Sequence, residues 1–256
     1  MEKTKKVIYF VRHGESITNI AFNETGTKLV CFDPPLSAKG RKQARLCAKE
    51  LMELEKEFDL IISSPLTRAI ETCKLYLKKS NQKKREINIM KSARERLITC
   101  DDIGSSKYVL MKKFTNLKFI EEMENEEVFS IDFSKKNRYF NFTAKIKVWY
   151  TEKFKTTKEV CHSFLENPWR ESLKELDERV KTFKQFLMER SEKRILVFTH
   201  GDFLSQIVGY QAENCEIIKT EISFEQNNKG VPFQVVYSSK MNIEYFKSFW
   251  EEDLSE

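Results

Sequence analysis

Three short runs of apolar residues, each followed at once by a polar turn, restrict the folds that are open to this chain. They cover residues 7–11, 58–62 and 195–198, and they are rich in β-branched and aromatic side chains. Runs of this length without regular polar alternation are typical of strands that are buried on both faces, as in a parallel sheet. We therefore expect a sheet that is covered by helices on both sides.

Helix signals follow these strands. Ser37 is a good N-cap, and Ser64 followed by Pro65 offers an N-cap and a first helical residue. The predicted helices cover residues 37–55, 64–79, 171–191 and 201–208, and a further short strand covers 87–90. Strands that alternate with helices predict an α/β fold, with three layers (α/β/α) around a mostly parallel central sheet.

The middle of the chain lacks this alternation. Residues 101–167 hold 12 of the 31 aromatic residues, several short charged runs and no long period. We interpret this segment as an aromatic-rich insertion, a lid over the core, within a single domain that spans residues 1–256. A hairpin is expected near the C-terminus, with its turn at 228–230 before a strand at 233–237.

Composition excludes several classes of protein. The 31 aromatic residues are ample for a core, which excludes global disorder. No stretch approaches the roughly 18 apolar residues of a membrane helix, and the first apolar run is too short for a signal peptide. We therefore expect a cytoplasmic protein without a membrane partner. The six cysteines form no Cys-x-x-Cys pair, so neither a zinc site nor a disulfide framework is expected.

The charge balance is weakly in favour of an anionic substrate. The net charge is +6, from 45 basic and 39 acidic residues that are interspersed along the chain. A nucleic-acid footprint needs basic residues clustered on one face, so no nucleic-acid partner is expected.

Two of the three histidines follow a buried strand directly and precede a glycine. They are His13, in the sequence VRHG, and His200, in the sequence FTHG. Ligands bind beyond the carboxyl ends of the strands in an open parallel sheet, so we expect the two turns to face one crevice. Arg68 follows the 58–62 strand, in the first turn of a helix, where backbone N–H groups favour an anion.

Arg12, His13, Arg68 and His200 therefore converge on one point in the predicted fold. Each residue taken alone could be structural, but four of them at three strand ends indicate a site. The cations oppose a metal, whereas guanidinium groups offer bidentate bonds to phosphoryl oxygens. A histidine that is held neutral in such a cage can attack phosphorus.

The motifs around these residues resemble those of the histidine phosphatase superfamily, also called phosphoglycerate mutase-like. The matching segments are RHGES at 12–16 with Asn19 after it, PLSAKGRKQA at 35–44, SSPLTRAIET at 63–72 and THG at 199–201. The resemblance implies a phosphatase that hydrolyses a phosphomonoester through a phosphohistidine, with no metal and no cofactor. Its substrate would be a phosphorylated small molecule or a phosphoprotein, and the sequence does not choose between them.

The resemblance also implies a role for each residue of the cage. His13 would be the nucleophile, and Gly14 would allow a close backbone approach. The phosphoryl oxygens would be bound by Arg12, Asn19, Arg68 and His200.

The resemblance further implies a carboxylic acid that protonates the leaving group and later activates water. Glu95, in an Arg-Glu pair after the third strand, is the candidate. The alternative for Glu95 is an exposed surface charge, in which case Asp101 or Asp102 would be the acid.

Three other functions stay open at this point. The first is a phosphoglycerate mutase, although Thr18 stands where mutases usually carry Trp, and a Gly-Trp segment is missing around Phe32 and Asp33. The second is a phosphate-binding or partner-binding module without turnover. The third is nucleic-acid binding through the basic, aromatic insertion.

Overall fold

The computed structural model describes residues 5–20, 26, 31–121, 170–223 and 234–239. Its strands are β1 (Lys5–Arg12), β2 (Leu60–Ser63), β3 (Ile87–Ile89), β4 (Leu117–Phe119), β5 (Arg194–Thr199), β6 (Ile217–Ser223) and β7 (Gln234–Ser239). They form one sheet in the order β4-β3-β2-β5-β1-β6-β7. The first five strands of that order are parallel, and β6 and β7 are added in antiparallel pairings. The prediction of a mostly parallel sheet is confirmed.

Five α-helices with both ends described accompany the sheet, and residues 17–20 are helical as well. The five are α1 (Ala38–Leu54), α2 (Thr67–Lys79), α3 (Lys107–Lys113), α4 (Leu173–Glu189) and α5 (Gly201–Val208). Ser37 caps α1 as predicted, because its side chain accepts the N–H of Gly40. The predicted cap at Ser64 is wrong. Helix α2 begins at Thr67, whose N–H donates to the Asp33 carboxylate over 2.7 Å, while the Ser64 hydroxyl lies against His200.

Two apolar cores cover the two faces of the sheet. Alternate residues of β1 point to opposite faces, with Tyr9 in the core formed with α1 and α2 and Phe10 in the core formed with α4 and α5. Each fully buried side chain of this size contributes about 1.5–3 kcal/mol. The sheet is therefore the central one of three layers, as predicted.

The segment that begins at residue 101 adds to this core. Helix α3 lies within it, and β4 pairs in parallel with β3 at the edge of the sheet. The rest of the predicted insertion, residues 122–167, lies outside the described residues, as does the predicted turn at 228–230. Strands β6 and β7 pair antiparallel, which confirms the C-terminal hairpin, and β6 itself was not predicted. Within the described ranges, no helix is long and apolar enough to cross a membrane.

The order of the strands brings the predicted site together. Strands β2, β5 and β1 are adjacent and run in the same direction, with Arg12 opposite Thr199 and Ser63 opposite Phe198. The three chains therefore leave the sheet side by side at its carboxyl edge. The N–H of Met90 donates to the carbonyl of Ser63, so the chain after β3 leaves at the same edge.

Candidate active site

His13 and His200 meet at this edge of the sheet. Their ring centroids lie 5.0 Å apart and the ring planes are inclined by 57°. Both side chains are buried, with residue exposures of 3% and 0%. The structure therefore brings the two His-Gly turns together.

His13 presents Nε2 to the crevice as a basic nitrogen. Its Nδ1 lies 2.7 Å from the carbonyl oxygen of Gly14, and because a carbonyl can only accept, Nδ1 carries the proton. The lone pair is left on Nε2, which accepts the Nε–H of Arg68 over 3.3 Å. Burial, with help from Arg68 and Arg12, holds the pKa of His13 well below its usual value. The ring is therefore neutral at pH 7.

His200 presents its other nitrogen. Its Nε2 lies 2.7 Å from the hydroxyl of Ser64, whereas Nδ1 is buried and has no hydrogen-bond partner among the described residues. Burial first, and then Arg68, holds the pKa of His200 well below its usual value. This ring too is neutral at pH 7.

The two arginines are anchored by separate contacts. Arg68 donates to the carbonyl of Asp101 over 2.7 Å and forms an ion pair with Asp102 at 3.1 Å. Arg12 donates to the carbonyl of Ala212 over 2.6 Å, and burial lowers the pKa of its guanidinium, which still stays charged. The Nε–H of Arg12 is buried without a partner in the described structure. The site thus holds unused hydrogen-bonding capacity on Arg12 and on His200.

Glu95 lies at the N-terminus of α5. Its carboxylate accepts the backbone N–H groups of Arg96 at 2.9 Å, Phe203 at 3.2 Å and Asp202 at 3.4 Å. Burial and the carboxylates of Asp102 and Asp202 outweigh these donors and raise the pKa of Glu95 to about 7. A carboxyl group with this pKa can both give and take a proton near neutral pH. It is not the exposed surface charge that was the alternative.

The loop that carries Glu95 is held by a buried ion cluster that the sequence did not reveal. Glu171 contacts Arg94 at 2.8 Å and Arg179 at 2.7 Å, and all three side chains are nearly buried. Arg179 also donates to the carbonyls of Ser92 and Arg94, each over 2.8 Å. Burial alone would raise the pKa of Glu171, but the two guanidiniums outweigh it and hold it at about 2. The only sequence signal was the Arg94-Glu95 pair itself.

Asp101 and Asp102, the alternatives to Glu95 as the acid, make other contacts. Asp102 pairs with Arg68 and accepts the N–H groups of Ile98 and Thr99, each over 3.1 Å. Asp101 accepts the Thr18 hydroxyl over 3.3 Å through its carboxylate and Arg68 through its carbonyl. Both aspartates therefore belong to the support of Arg68.

Asn19 lies in the helical residues 17–20, directly after Ser16. Its amide oxygen accepts the N–H of Ser16 over 3.0 Å, and its own N–H donates to the Ser16 hydroxyl over 3.2 Å. Its hydrogen bonds within the described residues all go to Ser16. Phosphoryl binding by Asn19 remains a prediction.

Gly14 has a packing reason to be glycine. A Cβ built there would lie 2.5 Å from the carbonyl oxygen of Gly40, and one built at Gly40 would lie 1.9 Å from the carbonyl oxygen of Glu15. The turn after His13 thus touches the first turn of α1. The Glu15 carboxylate fastens this contact by accepting the Ser37 hydroxyl over 2.8 Å.

Comparison with known proteins gives the family. Residues 8–100 match the model of the histidine phosphatase superfamily (branch 1), a stretch that contains His13, Arg68 and Glu95. A 2,3-bisphosphoglycerate-dependent phosphoglycerate mutase from Buchnera aphidicola is 30% identical over 244 residues, which cover 91% of this chain and 99% of the relative. The chain belongs to the histidine phosphatase superfamily.

Other relatives of this superfamily member differ in their named activity. A protein of Hydrogenobacter thermophilus that carries the name of a phosphoserine phosphatase is 26% identical over 203 residues, covering 79% of this chain and 77% of the relative. The crystal structure of phosphoglycerate mutase from Bacillus anthracis shares the fold, with a TM-score of 0.54 at 19% identity over 91% of this chain and 93% of that one. The superfamily thus includes mutases and phosphatases, both of which are enzymes of phosphoryl transfer.

Proposed function

We propose that this protein is a phosphatase that hydrolyses a phosphomonoester through a phosphohistidine formed on Nε2 of His13. One observation carries the proposal. The Gly14 carbonyl holds the proton of His13 on Nδ1 over 2.7 Å, so the lone pair of Nε2 points into a cage with two guanidiniums. A neutral nitrogen nucleophile beside fixed positive charge suits attack on an anionic phosphoryl group.

In the first step, Arg12, Arg68 and His200 bind the phosphoryl oxygens. Nε2 of His13 attacks phosphorus and the bond from phosphorus to the ester oxygen breaks, with its electron pair leaving on that oxygen. Protonated Glu95 gives its proton to this oxygen, so the product is a neutral alcohol. Arg68, which now donates to Nε2, turns its N–H to a phosphoryl oxygen and uncovers the nucleophile.

In the second step, water replaces the imidazole. The Glu95 carboxylate left by the first step removes a proton from a water molecule as its oxygen attacks phosphorus. The phosphorus–nitrogen bond breaks, inorganic phosphate forms, and both His13 and Glu95 return to their starting states. A pKa of about 7 for Glu95 suits both proton transfers.

Two departures from the mutase pattern favour hydrolysis. Thr18 is buried, shares a hydrogen bond with the Ser16 hydroxyl at 2.9 Å and donates to Asp101. Asp33 accepts hydrogen bonds from Thr67 and from Ser105. Thr18 and Asp33, at the two places where this chain departs from the mutase pattern, thus make polar contacts with residues that support or adjoin Arg68.

Mutase activity is the second candidate, because the relative that covers 91% of this chain at 30% identity is a phosphoglycerate mutase. A mutase would return the phosphoryl group of His13 to a second hydroxyl of a sugar acid instead of to water. As a phosphatase, the protein would be a cytoplasmic enzyme that needs no metal and no cofactor. Its substrate as a phosphatase would be a phosphorylated small molecule or a phosphoprotein.

The test measures both activities on the same purified protein. We expect hydrolysis of p-nitrophenyl phosphate to continue in excess EDTA, and 3-phosphoglycerate with 2,3-bisphosphoglycerate to yield inorganic phosphate rather than 2-phosphoglycerate. Fast formation of 2-phosphoglycerate would show a mutase. Loss of turnover on chelation would contradict the covalent route, and phosphate binding without turnover of any phosphomonoester or phosphopeptide would show a binding module.

A further inference from the structure

The Ser64 hydroxyl lies at the floor of the site, where the proposed chemistry gives it no role. The residue is completely buried, directly after β2. Its Oγ accepts the backbone N–H of Leu66 over 3.2 Å and lies 2.7 Å from Nε2 of His200. Among the residues that the structure describes, Oγ has no other hydrogen-bond partner.

Counting protons fixes the direction of the bond between Ser64 and His200. A hydroxyl has one proton to donate and two lone pairs that can accept. If Nε2 of His200 donated, Oγ would accept twice, and its own proton would be buried without an acceptor, at a substantial cost. If Oγ donates to Nε2, the hydroxyl is satisfied both as donor and as acceptor. The second arrangement requires that the ring proton of His200 be on Nδ1.

This assignment explains the unused group at His200. With the proton on Nδ1, the buried atom without a partner is an N–H donor. The other such atom at the site, Nε of Arg12, is a donor as well, and it lies 3.4 Å from a Cβ built on Gly201, the neighbour of His200. Two donors without acceptors beside the Nε2 of His13 fit an anion with at least two acceptor oxygens.

We propose that Ser64 is a positioning residue that fixes His200 as the Nδ1–H tautomer, so that His200 offers a hydrogen bond, and not a proton, to the phosphoryl group. The consequence for turnover rests on the proposed function. The tautomer itself does not, and it can be measured without any substrate.

The tautomer is read directly from the ring nitrogens by ¹⁵N NMR. The chain has three histidines, so His200→Asn identifies the signals of His200. We expect Nδ1 of the wild-type ring to have the shift of a protonated nitrogen and Nε2 that of an unprotonated one. Inorganic phosphate should move the Nδ1 signal most. A wild-type ring that is protonated at Nε2, or at both nitrogens at pH 7, would overturn the proposal.

Variants connect the tautomer to turnover. Ser64→Ala should move the Nε2 signal and lower kcat about tenfold to a hundredfold, because the N–H donor is no longer held in place. Ser64→Thr, which keeps the hydroxyl, should restore most of both properties. Ser63→Ala is the matched control, since Ser63 is equally buried but its hydroxyl donates to the Ser64 carbonyl over 2.9 Å.

Two results separate this inference from the proposed function. Equal losses of kcat in Ser63→Ala and Ser64→Ala, with the His200 signals unchanged, would show that Ser64 acts only through packing. A wild-type protein that turns over no phosphomonoester but has the expected tautomer would instead refute the phosphatase proposal and leave the assignment of His200 standing.

Discussion

The two His-Gly turns of this protein are alike in sequence and opposite in chemistry. Each histidine directly follows a central parallel strand, is followed by glycine and is buried at the same edge of the sheet. His13 is held through Nδ1 and presents Nε2, whereas His200 is held through Nε2 and presents Nδ1. One ring therefore presents a lone pair to the crevice, and we infer that the other presents an N–H donor.

The group that holds each ring makes the difference. The Gly14 carbonyl can only accept, so it leaves His13 with a nucleophilic nitrogen. The Ser64 hydroxyl already accepts an N–H from Leu66, so its proton is available to His200. Each strand places a histidine at the site. The group that holds the ring, the Gly14 carbonyl or the Ser64 hydroxyl, decides whether the free ring nitrogen can attack phosphorus or can donate a hydrogen bond to the phosphoryl group.

Substituting each histidine by asparagine should break the symmetry most strongly. His13→Asn should abolish turnover of p-nitrophenyl phosphate, because no nucleophile remains. His200→Asn keeps an N–H donor and should lose only about 10²–10³-fold in kcat. Both variants should melt within a few degrees of the wild type. Equal and complete loss in both, with intact folds, would contradict the division of roles.

Glu95→Gln tests whether Glu95 supplies the proton of the leaving group, which neither histidine can give. The variant should lose about 10²–10³-fold in kcat/KM, which reports formation of the phosphohistidine, for alkyl phosphates and much less for p-nitrophenyl phosphate, whose leaving group needs no proton. In the wild type, kcat/KM for alkyl phosphates should fall as the pH rises through about 7, because Glu95 of the free enzyme then loses its proton. The variant should lack this alkaline limb. An equal loss of kcat/KM for both leaving groups would assign the acid elsewhere.

Much of the fold and the cage could be predicted from sequence because both follow from local patterns. Buried strands are apolar runs, and residues after parallel strands meet at one edge, which places His13, His200 and Arg68 together. The cap at Ser64 was predicted wrongly, because its hydroxyl is used across the sheet by His200 while Asp33 serves the start of α2.

The residues that hold the site in place contact partners far away in the chain. Local sequence patterns therefore did not predict them. Glu171 and Arg94 are 77 positions apart in the chain, and neither residue type signals burial. Strand β4 reads Leu-Lys-Phe, and its two apolar residues do not stand out among the charged runs of the segment that contains it. Which nitrogen each histidine presents depends on partners that no motif records.

Glu171→Gln should have the smallest effect on rate. It leaves Arg94 and Arg179 buried without a carboxylate, so we expect the free energy of unfolding to fall by about 3 kcal/mol. The loop that carries Glu95 should loosen, and kcat for alkyl phosphates should fall about tenfold while the phosphohistidine still forms on His13. Glu178→Gln, on the exposed side of α4, is the control and should change neither property.

The pH dependence of stability provides a second readout for Glu171. Its pKa of about 2 in the folded protein lies below the ordinary value, so its stabilisation is complete above about pH 4.5 and is lost as the pH falls towards 2. Urea denaturation from pH 6 to pH 3 should show a shallower loss of stability in Glu171→Gln than in the wild type. Parallel curves would show that the cluster does not contribute.

The central claim is that Nε2 of His13 receives the phosphoryl group. Rapid quenching of a turnover reaction into alkali, followed by peptide mass spectrometry and ³¹P NMR of the denatured protein, locates that group and the nitrogen that carries it. We expect phosphate on residue 13 at Nε2, present in Glu95→Gln and absent from His13→Asn. Phosphate on His200, on Nδ1 of His13, or on no residue during active turnover would contradict the account.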